Sequence, residues 1–168
     1  MKVALIALLF AASAFAQAPI DSAASACGPD RVDFRVKLDK SQHAPAQPVP
    51  GKALVYFIHD AGTEELLAYP TTKMGMDGRW LGANHGDSYF YVSVEPGEHH
   101  MCADLQTSRY EDRTEFAHFQ AEAGKVYYYR TRLVMSRAME LLELDPIDSD
   151  QGRFLIESFP LSVSKPKK

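Results

Sequence analysis

Val32, Phe34, Val36 and Leu38 alternate with Asp33, Arg35, Lys37 and Asp39. A period of two puts the apolar side chains on one face and the charges on the other, which predicts a half-buried strand. The stretch KALVYFIHD, Lys52 to Asp60, is apolar on both faces and predicts a central strand. Between the two, SQHAPAQPVPG carries three prolines and a glycine and reads as an irregular linker. AGTEELLAYP reads as a loop with room for one helical turn. TTKMGM and RWLGAN flank Asp77-Gly78, one of the strongest two-residue hairpin signals. DSYFYVSV and HHMCADL flank Pro96-Gly97, which suits the middle of a type II turn and predicts a second hairpin. EFAHFQ and KVYYYRTRLV supply two more strands around Ala123-Gly124, and MELLELDP predicts another that stops at Pro146.

The C-terminal pattern differs. In DSDQGRFLIESFP the acids come first, which suits the positive end of a helix, and Phe154, Leu155, Ser158 and Phe159 follow at helical spacing up to Pro160. About eight short strands with regular turn signals predict an all-β fold. The expectation is a single-domain antiparallel β-sandwich or open barrel over residues 31–168, with one short C-terminal helix over an open end or edge. The terminal KPKK reads as a solvated basic tail.

The first residues change the picture from fold to compartment. One lysine, an apolar run from Val3 to Phe10 and Ala14-Phe15-Ala16 before Gln17 have the pattern of a cleavable secretory signal over residues 1–16. The run is too short to span a bilayer, and no later segment is longer. Lipidation at Cys27 is the competing reading; Pro19 and Asp21 separate that cysteine from the apolar run and argue against it. Residues 17–30 are small and polar, a flexible lead. The 168-residue chain has a net charge of −4, and loss of Lys2 with the leader makes it one unit more negative. Such a balance argues against nucleic acid as a partner. Two cysteines in an exported chain predict one disulfide, Cys27 to Cys102.

KALVYFIHD, DGRWLGANHGDSYFYVSVEPGEHHMCA, AEAGKVYYYR and LELDPIDSDQGRFLIES resemble, in order and spacing, the bacterial exported family known as domain of unknown function 2846. The likeness runs from about Lys52 to Lys165 and is most specific in the Gly-Ala-Asn to Pro-Gly-Glu-His-His block. The resemblance implies an envelope or secreted β-rich domain and brings no assigned reaction, catalytic residue or cofactor. The order of strands and turns also resembles the small envelope modules called PEGA domains.

Several clusters carry residue types with chemistry, and each has an ordinary structural role beside it. Glu98-His99-His100-Met101-Cys102 places four ligand-type side chains in a row, but alternation on a strand splits them between two faces. A copper site would therefore combine His99 and Met101 with Met74 and Met76 from a neighbouring strand, which makes a periplasmic metal-binding protein the alternative function. Gly86-Asp87-Ser88 has the start of an esterase motif but runs into a strand, with no strand-to-helix elbow, so a hydrolase ranks third. Asp145, Asp148, Asp150 and Glu157 miss the spacing of a calcium loop and suit a helix N-cap. Trp80, Tyr89 and Tyr91 are the candidate binding residues, since exposed aromatic faces stack on sugars and on protein partners. The leading expectation is a non-enzymatic envelope module that binds a glycan or another envelope protein.

Overall fold

The strand at Ala53–His59 organises the molecule: every residue in it is buried, which follows from an apolar run with no polar face to turn to solvent. In the computed structural model, residues 26–28, 32–41, 44–62, 71–106, 114–136 and 139–167 are described. The predicted leader, most of the lead and the helical turn expected after Gly62 lie outside them. The elements are β1 (Phe34–Asp39), β2 (Ala53–His59), β3 (Thr71–Met76), β4 (Arg79–His85), β5 (Ser88–Val94), β6 (Gly97–Leu105), β7 (Thr114–Ala121), β8 (Val126–Ser136), β9 (Met139–Ile147), α1 (Ser149–Ser158) and β10 (Leu161–Pro166). They form an all-β sandwich of a six-stranded sheet, ordered β1-β10-β5-β2-β8-β9, and a four-stranded sheet, ordered β4-β3-β6-β7.

Two cores result. Ala53, Val55 and Phe57 point from β2 toward Met74, Met76, Met101, Ala103 and Phe119 of the other sheet. Leu54, Tyr56 and Ile58 point outward and meet Tyr128, Leu155 and Ile156. The apolar run of β2 is thus explained by cover on both sides.

Several expectations need correction. The Asp77-Gly78 hairpin forms, with φ of 50° and 77°, and joins β3 to β4. Pro96-Gly97 does not close a hairpin: β5 lies in one sheet and β6 in the other, and Gly97 has φ 143°, far from the value of about +80° at the second turn position. Ala123-Gly124 is likewise a corner, from β7 into β8. These two crossings bring β8 beside β2 running parallel to it, and β10 pairs parallel with β5, so the six-stranded sheet is mixed and not wholly antiparallel. β9 runs through Pro146 to Ile147; it is an edge strand, where a missing N–H can face away from its neighbour.

The end of the chain departs most. Helix α1 lies on the outer face of the six-stranded sheet, against Tyr128, and not over an end or edge. Its buried residues are Gly152, Leu155 and Ile156, whereas Phe154 is 67% exposed. Asp148 caps it as expected, its Oδ1 accepting from the amides of Asp150 and Gln151, which hold the carboxyl below its ordinary pKa. The basic tail begins inside a strand, since Lys165 and Pro166 close β10 with both side chains exposed; β10 inserts between β1 and β5, pairing with β1 from Leu161↔Asp39 to Pro166↔Phe34. No helix among the described residues is long and apolar enough to cross a membrane.

Candidate functional site

The outer face of the six-stranded sheet carries a cluster of tyrosines. On β5, Tyr89 and Tyr91 point the same way, and Tyr56 of β2 sits between them, with ring centroids 5.9 and 5.4 Å away. Tyr128 of β8 stacks on Tyr56 at 5.2 Å with only 10° between the planes. Alternation explains the clustering: Tyr56 is paired with Tyr91 on one side and Tyr128 on the other, so all three must share a face. The Tyr56 hydroxyl accepts from the Ala46 amide at 2.7 Å, tying the proline-rich segment down over the sheet. Burial pushes the Tyr56 phenol up to about 12, against the opposing effect of that hydrogen bond. Burial, then Tyr91 and Asp39, also raises Tyr89.

Beside this cluster is a groove of about 920 Å³, lined by Lys40, Ser41, Tyr89, Glu157, Ser158 and Phe159 among others. Helix α1 and the segment after β1 form its walls. Tyr91, two residues along the strand from Tyr89, is 42% exposed. The remaining tyrosines of β8 belong to the core between the sheets, where Tyr127 and Tyr129 point inward onto Phe119.

Trp80 is on the opposite side of the molecule, so the three candidate binding residues do not form one patch. It stands on β4 at the outer face of the four-stranded sheet, half-buried. Lys73 Nζ lies 4.4 Å from its ring centroid and 2.8 Å from Asp104, and Gly28 is packed against the indole. Gly28 is held there by the disulfide between Cys27 and Cys102, which closes 75 residues of chain. The predicted bridge therefore forms and pins the Ala26–Gly28 segment across the sheet. Gly75 makes the crossing possible: a Cβ there would fall 2.8 Å from Cys102 Sγ and 3.1 Å from Cys27 Cα.

The metal alternative is partly assembled. Met76 lies opposite Met101 and Met74 opposite Ala103, so the three methionines do share a face, and all are sealed in the core. His99 lies at the rim of that face. Its Nδ1 is 2.6 Å from Asp77 Oδ2 and its Nε2 is 2.8 Å from the Glu95 carbonyl. Both partners only accept, so both bonds form when His99 is an imidazolium that donates twice. Ser88 opens β5 fully buried, and its hydroxyl contacts the carbonyls of His85 and Gly86 and the Ser162 hydroxyl.

Two features escaped sequence reasoning. The groove depends on a helix whose docking face begins at Gly152, and glycine gives no apolar signal. A polar cluster between the sheets, in which His59 Nδ1 lies 3.0 Å from Thr131 Oγ1 and 3.4 Å from Thr72 Oγ1, unites residues from three strands distant in sequence.

No curated protein and no solved structure matches the chain. A family model described as "Protein of unknown function (DUF2846)" matches residues 50–142, from the turn before β2 into β9. The match covers more than half of the 168 residues and stops short of α1 and β10, so the likeness that extended to Lys165 is carried only as far as Leu142. The chain belongs to this family.

Proposed function

We propose that the chain is an exported, non-enzymatic binding module of the bacterial envelope and that the tyrosine-floored groove seats its ligand, an envelope glycan. The groove carries the reading. Its lining combines the half-buried ring of Phe159 with Tyr89, which is 4% exposed, hydroxyls at Ser41 and Ser158, and opposite charges at Lys40 and Glu157, a combination suited to a ligand with both hydroxyls and apolar ring faces. Export is supported by the leader pattern of residues 1–16 and by a disulfide that uses both cysteines. Against a hydrolase stands Ser88, a buried strand serine whose hydroxyl is held by its neighbours. The copper alternative through His99, Met101, Met74 and Met76 is weaker, because His99 spends both ring nitrogens and the methionines are packed among apolar side chains.

The test is titration of the purified chain with soluble envelope glycan fragments, followed by calorimetry. Saturable binding that weakens about tenfold or more, at least 1.4 kcal/mol, in Glu157→Ala and Lys40→Ala, both in the lining, supports the groove. Absence of glycan binding, with capture of an envelope protein instead, would replace the ligand class. Binding unaffected by both substitutions would remove the groove.

A further inference from the structure

The outer face of the four-stranded sheet holds a histidine pair that neither the groove nor the candidate copper set uses. His100 of β6 and His118 of β7 are directly opposite in the antiparallel register, where Cβ atoms lie about 5 Å apart. Their ring centroids are 6.0 Å apart and inclined by 31°. Glu98, two residues before His100 on the same face, brings a carboxylate oxygen 3.7 Å from His100 Nε2. The three side chains line a shallow hollow of about 290 Å³ together with Phe116, which is 46% exposed, and Ala26. Ala26 is fixed there by its neighbour Cys27, so one wall of the hollow is tied covalently to β6.

We infer that His100 and His118 form a two-imidazole chelate for a borderline divalent transition ion of the zinc or copper class, with Glu98 as the adjacent carboxylate. Two imidazoles on one such ion, at metal–nitrogen distances of about 2 Å and near-tetrahedral angles, place their centroids about 5 Å apart. The observed separation of 6.0 Å is within about 1 Å of that value. Nothing else competes for the nitrogens of His118 among the described residues, in contrast to His99. Imidazole is a ligand that suits zinc and copper(II), and Glu98 stands beside the pair as a nearby negative charge and not as a third ligand. No group of three or more His, Cys, Asp or Glu side chains surrounds one point among the described residues, so water completes the sphere and the site is an open one. The position on two hydrogen-bonded strands preorganises both ligands, which is what a chelate requires.

Calorimetric titration of the full mature chain with Zn²⁺, and separately with Cu²⁺, tests this. The expected result is one ion per chain for at least one of the two metals. Loss of an outer-shell partner alone typically weakens a metal site about 10–100-fold, so His100→Ala and His118→Ala should each weaken binding about tenfold or more. The double variant should be little worse than either single one, since either change breaks the chelate. His99→Gln should bind as the parent does. In the histidine ring-proton NMR spectrum, Cu²⁺ should broaden His100 and His118 first, a readout independent of affinity. Failure of both ions to bind, binding retained in both alanine variants, or binding lost in His99→Gln would each overturn the assignment. Glycan titration of the His118→Ala variant should match the parent, which separates this site from the groove.

Discussion

At the scale of single residues, His99 shows how one side chain joins two turns that are far apart in sequence. The Asp77 carboxylate receives the His99 ring at Oδ2 and the His100 amide at Oδ1, while the Glu95 carbonyl holds the other ring nitrogen. The Asp77-Gly78 hairpin is thereby fastened to the Pro96-Gly97 corner. Burial on its own would lower the His99 pKa, but the bonds to Glu95 and Asp77 together outweigh it and raise the value. A folded-state pKa above the unfolded value, near 6.5, means the His99 contribution is fully present below about pH 6.5 and fades as pH rises through the folded value. The melting temperature of the parent should therefore exceed that of His99→Gln and of Asp77→Asn most at about pH 5.5–6.5. The gaps should narrow by about pH 8–9, as followed by scanning calorimetry at each pH. Equal gaps at all pH values would show that the ring acts by packing on Phe119 alone. The histidines and the aspartate were visible in the sequence, and so was the alternation that divides His99 from His100. Their partners were not, because a bond from β6 to a turn 22 residues earlier is set by register, and register between strands is a non-local quantity.

At the scale of elements, local pattern and sheet membership carry different information. Alternation located β1, and an unbroken apolar run located β2, because burial on one face or two leaves a direct imprint on composition. Turn chemistry at Pro96-Gly97 and Ala123-Gly124 marked the strand ends correctly but could not say whether the chain turns back within a sheet or crosses to the other. β10 left almost no imprint: Ser162 is its buried residue and contacts Ser88, whereas Val163 is exposed, the reverse of an apolar-inward strand. The helix was found by spacing, but its face was misjudged since the closest approach to the sheet is made by a glycine. A Cβ on Gly152 would fall 2.3 Å from Cγ of Tyr128. Gly152→Ala should therefore destabilise the protein by about 1–3 kcal/mol through overpacking, although alanine is the better helix former by about 1 kcal/mol. Phe154→Ala, on the exposed face of the same helix, should be within about 0.5 kcal/mol of neutral. Urea unfolding of the two variants decides it, and a stabilised Gly152→Ala protein would mean that α1 does not rest on Tyr128.

At the scale of the whole molecule, the disulfide and the tryptophan form one reporter of how the N-terminal segment is held. The bridge closes 75 residues, a loop whose closure entropy corresponds to about 4 kcal/mol in the chain-entropy treatment. It joins a short segment to a strand already paired on both sides, with β3 and β7, so the sheets do not depend on it for their hydrogen bonds. Reduction should accordingly lower the melting temperature by on the order of 10 °C and leave the far-ultraviolet strand signal at room temperature nearly unchanged. Trp80 is the only tryptophan, and Gly28, next to Cys27, is packed on its ring. Freed from Cys102, that segment can lift from the sheet and let water reach the indole. The emission should then shift to the red and become more accessible to iodide, while the tyrosine cluster on the opposite face keeps its packing. The Cys27→Ser, Cys102→Ser double variant should reproduce both effects without reductant. An unchanged tryptophan spectrum in that variant would show that packing on Trp80 and Gly75, and not the covalent bond, holds Ala26–Gly28 against the sheet. Loss of the strand signal would show instead that β6 cannot keep its place between β3 and β7 without the bridge.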